Sequence, residues 1–264
     1  SIIRNNKAND GGFSSGSNGY IKNSKIYKNT SNWGGAVDWQ SNLTIDSCEL
    51  YENNDSTHFR GKDNKRVVII NSLLYLPKGG STLFCDGSFE IYNSIIDNTG
   101  KNSLYYGRDP IYNDYTFTID GLTANNTIFI GDINYLDDSF YDRMHVNNCI
   151  FTDTSLPEAY WVATNIITGA VAEDLFVDYA AGDYRLRATS DAVNFGSNDL
   201  WNANSNNITT DIDGNPRIID SSIDLGPYEF IGGSAPEPTF YLYDLDSGSK
   251  LYMNDQTVGV AISS

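Results

Sequence analysis

The stretch Ile69-Ile-Asn71-Ser72-Leu-Leu74-Tyr75 decides the fold, because variants of it recur along the whole first half of the chain. Each copy has an apolar residue, a polar corner residue, a small residue and a second apolar residue in the same order. The second apolar column holds Ile3, Ile26, Leu50, Leu74, Ile96, Phe129 and Phe151, at intervals of 23, 24, 24, 22, 33 and 22 residues. A repeat of this length and pattern predicts one turn of a parallel β-solenoid per copy.

Stacking of successive coils explains why the columns exist. Coils of a solenoid lie about 4.8 Å apart, so each inward side chain meets its counterpart above and below. The columns predict inward apolar residues at Ile21, Ile45, Ile69, Ile91, Ala124 and Val146, and left-handed corners at Asn23, Ser47, Asn71, Asn93, Asn126 and Asn148. Cys48 and Cys149 fall in the small-residue column four coils apart, about 19 Å, which is too far for a disulfide. We expect both to be buried thiols.

Charge and composition exclude several classes of protein. The 264 residues include 17 Lys+Arg and 34 Asp+Glu, which gives a net charge of −17. Such an acidic surface disfavours nucleic acid and anionic membranes as partners. No apolar run approaches the ~18 residues of a membrane span, so we expect no direct membrane insertion. The 30 Asn and 23 Gly suit turns better than helices, which favours an all-β fold.

Two further patterns carry resemblances to known families. Asn6 precedes Gly11-Gly12-Phe13, and Asn29 precedes Gly34-Gly35-Ala36-Val37, a pairing that resembles the FxxN and GGA[ILV] repeats of the polymorphic membrane proteins, which are right-handed parallel β-helix adhesins. The segments Asp174–Asp178, Gly182–Leu186, Ser190–Gly196, Asp211–Arg217 and Asp224–Phe230 together resemble the closing region of the "choice-of-anchor Q" β-helix proteins of bacterial surfaces. Glu173-Asp174, Asp191 and Pro227 depart from the usual motifs without removing a chemically active group. The resemblance implies a secreted or surface protein with no single activity.

These observations predict an all-β, right-handed parallel β-helix of about seven coils with a C-terminal cap. Residues 1–155 form the coils, and residues 156–230 form a last coil and a closing region that caps the open end. Residues 231–238 form a linker, and residues 239–264 form strands that begin a sandwich-like module. We expect the chain to be a piece of a longer polypeptide whose neighbouring domains are among its partners.

A basic cluster at 58–66 is the first candidate site. Arg60, Lys62 and Arg66 lie at a predicted coil corner, and a polysaccharide lyase would use such residues as base and as counter-charge for a uronate carboxylate. The alternative is a solvated loop, the commoner meaning of a charge run. His58 and His145 are the only histidines in the chain, which disfavours a His-based catalytic triad or a zinc site.

An insertion in the 33-residue interval is the second candidate, because long loops on a rigid scaffold often carry function. Tyrosine rings can stack on a pyranose while polar neighbours bind its hydroxyls. The alternative is that the rings cover the apolar outer positions Leu73, Ile95, Ile128 and Ile150. The candidate ligand-binding residues are Tyr105, Tyr106, Arg108, Asp109, Tyr112 and Tyr115.

An acidic loop is the third candidate. Asp211, Asp213 and Asn215 stand at alternate positions, as at the start of a Ca²⁺ loop. Pro216 and Ser222 occupy positions where an EF-hand needs Gly and Glu, so the sequence favours a structural turn. Arg217 would then form charge-assisted hydrogen bonds with Asp224 or Glu229.

Two functions remain from different classes. The first is a non-enzymatic segment of a large secreted adhesin or filament protein, a rigid acidic stalk that binds glycans or a partner surface and needs no cofactor. The alternative is a carbohydrate-active enzyme, a polysaccharide lyase acting through the basic cluster.

Overall fold

A computed structural model of the chain describes residues 1–10, 13–15, 18–33, 37–39, 41–53, 57–61, 66–75, 81–85, 88–99, 104–106, 122–131, 133–135, 144–154, 161–232, 241–243 and 250–252. Ser1–Phe230 and Ile231–Ser264 form two separate compact units. In the second unit, Tyr241–Tyr243 pairs antiparallel with Lys250–Tyr252, which is the hairpin expected there. The third strand predicted for this unit lies outside the described residues.

The first unit is an all-β parallel β-helix, as the sequence predicts. Each coil contributes one strand to a first sheet and, after a corner, one strand to a second sheet. The first sheet contains Gly19–Lys22, Leu43–Asp46, Arg66–Ile70, Ser88–Tyr92 and Leu122–Asn125. The second sheet contains Ile2–Arg4, Lys25–Tyr27, Glu49–Tyr51, Leu73–Tyr75, Ile95–Asp97 and Ile128–Ile130. The strands Met144–Phe151 and Trp161–Thr168 run through the corner and extend both sheets.

Additional parallel strands form further sides of the coils. Phe13–Ser15, Val37–Trp39, Thr57–Gly61 and Ser81–Cys85 form a four-stranded sheet. Lys7–Asp10 pairs with Thr30–Trp33, and Leu104–Tyr106 pairs with Ile133–Tyr135. The basic cluster was expected at a coil corner. Its first part, up to Gly61, instead lies in the paired strand Thr57–Gly61.

The inward columns are confirmed residue by residue. Ile69 pairs in register with Ile45 on one side and Ile91 on the other, and all three side chains are buried. In the second column Phe129 and Phe151 pair in register, and their rings stack with centroids 5.0 Å apart. Because the same inward positions recur in each coil, side chains of one column pack on those of the next coil and form one apolar core inside the β-helix.

The polar corners are confirmed as well. Asn23, Ser47, Asn71, Asn93, Asn126 and Asn148 all have φ between 43° and 53°. The amide of Asn126 donates to Oδ1 of Asn93 at 3.1 Å, so corner side chains hydrogen-bond along the stack. A seventh corner, Asn165, has φ 52° and continues the column in the last coil.

The small-residue column holds buried free thiols at Cys48 and Cys149, as expected. Burial raises the pKa of Cys48 to about 11 and that of Cys149 to about 12, since a thiolate loses its hydration there. Both thiols are therefore unreactive in the folded chain. The side chain of Cys85 lies outside the described residues.

The segment after the last coil contains the described helices. Ala172–Leu175 and Asn198–Asn204 are short α-helices, Tyr179–Ala181 is a 3-10 turn, and Phe176–Asp178 pairs antiparallel with Asp183–Leu186. Within the described part of the chain, no helix has the length and apolarity needed to cross a membrane.

This closing region packs along the flank of the β-helix, where the sequence suggested a cap over its open end. Leu175, Phe176, Leu186, Leu225 and Tyr228 cluster with the outward side chains of the second sheet. Those outward side chains are Leu73, Ile95, Ile128 and Ile150. The apolar outer column is therefore covered by the closing region, and it does not require the tyrosine-rich insertion as its cover. On the other side of the corner, Trp201 and Ile223 cover Val68 and Ile70 of the first sheet.

The corner asparagines hold the closing region in place. Four side-chain amides from successive coils donate to backbone carbonyls of the closing region. The pairs are Asn71 to Thr210 at 3.1 Å, Asn93 to Asp224 at 3.3 Å, Asn126 to Ser197 at 3.0 Å and Asn148 to Phe195 at 2.9 Å. The corner column thus both turns the chain and docks this segment, a second role that the sequence analysis missed.

Gly226 offers a test of this docking. A Cβ at Gly226 would lie 3.0 Å from Cγ1 of Ile95, whereas one at Gly182 would meet nothing within 4 Å. Both glycines have a similar left-handed φ, +82° and +79°, so Gly182→Ala is a matched control for backbone strain. We expect Gly226→Ala to lower the free energy of unfolding by about 1–3 kcal/mol more than Gly182→Ala, measured by urea denaturation. Equal losses would contradict the close approach of the closing region to the second sheet.

Candidate functional site

The basic cluster is only partly described, and its described member is paired. Arg60 lies in the strand Thr57–Gly61, and its side chain and all of Lys62 fall outside the described residues. Arg66 donates through Nε and Nη2 to both carboxylate oxygens of Glu90, and the hydroxyl of Tyr92 donates to Glu90 at 2.7 Å. The hydrogen bond to Glu90 raises the pKa of Arg66. This guanidinium is therefore unsuited to act as a base.

Cross-coil ion pairs of this kind recur on the outer surface. Each joins a basic residue to an acidic residue 24 positions later, one coil along the stack. The pairs besides Arg66–Glu90 are Lys22–Asp46 at 3.0 Å, Lys25–Glu49 at 2.8 Å and Lys28–Glu52 at 3.3 Å. Exposed pairs add little stability, but each neutralises a cation that an acidic polysaccharide would otherwise contact.

The tyrosine-rich insertion is also mostly outside the described residues. Tyr105 and Tyr106 belong to the strand Leu104–Tyr106, in register with Asn134 and Tyr135. Nothing is described of their side chains, nor of Arg108, Asp109, Tyr112 and Tyr115. The structure therefore fixes where the insertion leaves the β-helix and leaves its ligand contacts as a prediction.

A tyrosine ladder on the second sheet was not singled out from the sequence. Tyr27 and Tyr51 stack with ring centroids 4.8 Å apart and planes inclined by 7°, and Tyr75 follows in register. The guanidinium of Arg4 lies 5.8 Å from the centroid of Tyr27. Since Tyr27 and Tyr51 stack on each other, these half-buried rings present their edges outward. Ring edges offer little surface for stacking on a pyranose, so this ladder is poorly suited to bind sugar.

A buried carboxylate lies beside this ladder, at Asp97. It accepts hydrogen bonds from the hydroxyl of Tyr184 at 2.6 Å and from the backbone and hydroxyl of Thr99 at 2.9 and 2.8 Å. Burial, followed by the charge of Asp97, raises the pKa of Tyr184. Asp97 is fully buried. The group anchors the closing region to the coil and is inaccessible to a substrate.

The acidic loop forms a turn whose carboxylates point to different partners. Asp211 is buried and accepts from the backbone of Asn215 at 2.7 Å, from its side-chain amide at 3.0 Å and from the backbone of Glu229 at 3.1 Å. Asp213 instead binds Arg185 at 2.8 Å on the surface. No group of three acidic, His or Cys side chains suited to a metal occurs among the described residues. The arrangement of this loop is that of a structural turn.

Of the contacts expected for Arg217, the one with Glu229 is present as an ion pair, whereas Arg217 reaches Asp224 only through its backbone carbonyl. Nη1 of Arg217 lies 3.1 Å from Oε1 of Glu229, Nη2 donates to the carbonyls of Asp224 and Gly226, and Trp201 lies under the guanidinium at 5.2 Å. Both charged side chains are 2 % exposed. Burial raises the pKa of Glu229 to about 8 and lowers that of Arg217, while their mutual attraction opposes both shifts. The pair holds the closing region together and faces no solvent.

Comparisons with known proteins find a similar fold among solved structures. No protein-family model and no curated protein matches the chain. The crystal structure of the pectate lyase Pel9A, a parallel β-helix, is similar, with a TM-score of 0.52 and 19% sequence identity. The match covers 86% of this chain and 64% of the pectate lyase chain, so the chain spans less than two thirds of that enzyme. This likeness concerns the fold.

Proposed function

We propose that the chain is a non-enzymatic segment of a secreted cell-surface adhesin or filament protein, a rigid acidic stalk that binds carbohydrate without cleaving it. One observation carries the proposal: five exposed cations of the described residues, Lys22, Lys25, Lys28, Arg66 and Arg185, each pair with a carboxylate. The pKa values of Lys25, Arg66 and Arg185 are raised by these contacts, which is opposite to the shift a catalytic base needs.

The construction of the first compact unit supports a stalk. Stacked coils with a buried core, cross-coil ion pairs and a docked closing region give a stiff support for loops. We assign glycan contact to the insertion with Tyr105, Tyr106, Arg108, Asp109, Tyr112 and Tyr115, because it combines aromatic rings with charged neighbours. The second compact unit would begin the next module of a longer extracellular chain.

Binding of this kind needs no metal ion, since ring stacking and hydrogen bonds to hydroxyls suffice. A glycan array, together with an assay for unsaturated uronate on acidic polysaccharides, tests the proposal. We expect binding to at least one glycan class without release of unsaturated uronate. Release of that product would contradict the non-enzymatic role.

Truncating single tyrosine side chains of the insertion distinguishes a role in glycan binding from a role in stability. We expect Tyr105→Ala and Tyr112→Ala to weaken glycan binding by roughly 1–2 kcal/mol and to leave the melting temperature unchanged. Tyr51→Phe, which keeps the stacked ring and removes one hydroxyl, serves as the control and should bind normally. A loss of stability with unaltered binding would remove these tyrosines from the site.

A polysaccharide lyase is the second candidate, and the likeness to the pectate lyase Pel9A is the observation that favours it. Its catalytic residues would be Arg60, Lys62 and Arg66. Since Arg66 is held by Glu90, this candidate depends on Arg60 and Lys62. If any eliminating activity is found, Arg60→Gln and Lys62→Gln should abolish it, whereas Arg185→Gln should not.

A further inference from the structure

The last coil leaves one edge of the β-helix open in the described part of the chain. Trp161–Thr168 pairs along its whole length with Met144–Phe151, and no other described strand pairs with it. After Thr168 the chain turns back: Gly169 donates to the carbonyl of Asp153 at 3.2 Å and Ala170 to that of Phe151 at 3.1 Å. The chain then continues as the closing region along the flank, so a row of main-chain hydrogen-bonding groups is left at this end.

Side-chain exposure shows that the core is open here too. Val146 and Cys149 are fully buried, but Ala163, which is in register with Val146, is exposed. Ile166, in register with Cys149, is only partly buried. Val162 on the outer face is 39% exposed. Among the described residues, no further coil covers the inward column at this end, whereas the next coil covers Val146 and Cys149.

The sequence of this edge lacks the usual protection. Natural edge strands carry Lys, Pro, bulges or inward charges that prevent pairing with another chain. Residues 161–168, Trp-Val-Ala-Thr-Asn-Ile-Ile-Thr, contain no charge and no Pro, in a chain with net charge −17. This edge strand itself therefore adds no like-charge repulsion between two copies of the acidic chain.

The shape of the edge determines what can pair with it. The strand bends at Asn165, where φ is 52°, and continues as two legs that belong to different sheets. A straight peptide would pair with one leg of three or four residues, which is too short for stable strand addition. A partner that pairs with both legs must bend in the same way, as the end of another β-helix does. A second copy of the chain supplies such an end.

We propose that the open end formed by Trp161–Thr168 is a self-association surface, on which two copies meet tail to tail about a two-fold axis near Asn165. In this arrangement the leg 161–164 of one copy pairs antiparallel with the leg 166–168 of the other. The contact is self-complementary, so it closes after two copies. It satisfies the open main-chain groups and covers Ala163 and Ile166 with their apolar counterparts.

Light scattering on the full chain tests the proposal. We expect a concentration-dependent mass of twice 29.2 kDa that does not grow further. Ala163→Lys places a charge over the open core, where the monomer can extend it into water, and should abolish the dimer while keeping a cooperative melt. His145→Lys, an exposed position one coil back, is the control and should dimerise normally.

A cross-link keeps the proposal testable if Ala163→Lys does not fold. In a Cys85→Ser background, Asn165→Cys should form a covalent dimer on oxidation, because the axis brings the two copies of this residue together. The equivalent corner Ser47 shows that a small side chain is tolerated at this φ. His145→Cys should not cross-link. A monomer at every attainable concentration, a dimer unaffected by Ala163→Lys, growth beyond two copies or absence of the Asn165→Cys cross-link would each overturn the proposal.

Discussion

Replacing Ile69 with Asp is expected to unfold the coils. Ile69 is fully buried between Ile45 and Ile91 in the central inward column, and no described cation lies in this apolar core. An unpaired buried carboxylate costs several kcal/mol, which is comparable with the total stability of an ordinary domain, about 5–15 kcal/mol. Circular dichroism during urea and thermal denaturation measures the loss. Leu74→Asp, in the second inward column, should behave in the same way.

Thr44→Asp is the control for this change. Thr44 is in register with Val68 on the outward face of the neighbouring coil, and its side chain is half-buried. The new carboxylate can reach water there, so we expect a change of less than about 1 kcal/mol. Cooperative melting of Ile69→Asp near the parent temperature would contradict the assignment of the inward columns.

Glu229→Gln should produce the second large loss of stability. Above about pH 8, where Glu229 is ionised, the substitution leaves the guanidinium of Arg217 buried without its counter-charge, which typically costs about 3–5 kcal/mol. Since Arg217 binds the carbonyls of Asp224 and Gly226, we expect the closing region to loosen before the coils do. Hydrogen exchange of residues 190–230, alongside the denaturation curve, measures this.

Two control variants distinguish the effect of the buried Arg217–Glu229 pair from the effect of losing any ion pair. Asp213→Asn breaks the exposed pair with Arg185 and should cost no more than about 1 kcal/mol. The double variant Arg217→Met with Glu229→Met removes both buried charges and should recover much of the loss. If Glu229→Gln were as stable as the parent, the Arg217 network would not be what holds the closing region.

The repeat made most of the fold predictable. Because coils stack at a constant spacing, each column of the sequence becomes a column of the structure, and Ile69, Leu74 and the corner Asn71 all lie where their columns place them. The Arg217–Glu229 pair was predictable for a different reason. Its motif lies within a short segment, so the partners are close in sequence as well as in space.

The position of the closing region was not predictable from the same pattern. It depends on contacts such as Asn71 to Thr210, which are 139 residues apart and use a backbone carbonyl that any residue supplies. The tyrosine ladder was visible as a column, but only the geometry shows that Tyr27 and Tyr51 stack on each other. For the candidate site, the sequence named Arg66 without its partner, because Glu90 lies a full coil away.

We propose that the chain binds carbohydrate and does not cleave it. The most direct measurement is the ultraviolet absorbance of unsaturated uronate when the chain is held in excess over each acidic polysaccharide, with Ca²⁺ and with a chelator in parallel. We predict no increase under either condition, while the same polysaccharides or other glycans are retained by the immobilised chain. An absorbance that rises in proportion to the chain and disappears in Arg60→Gln or Lys62→Gln would contradict the claim and establish the lyase.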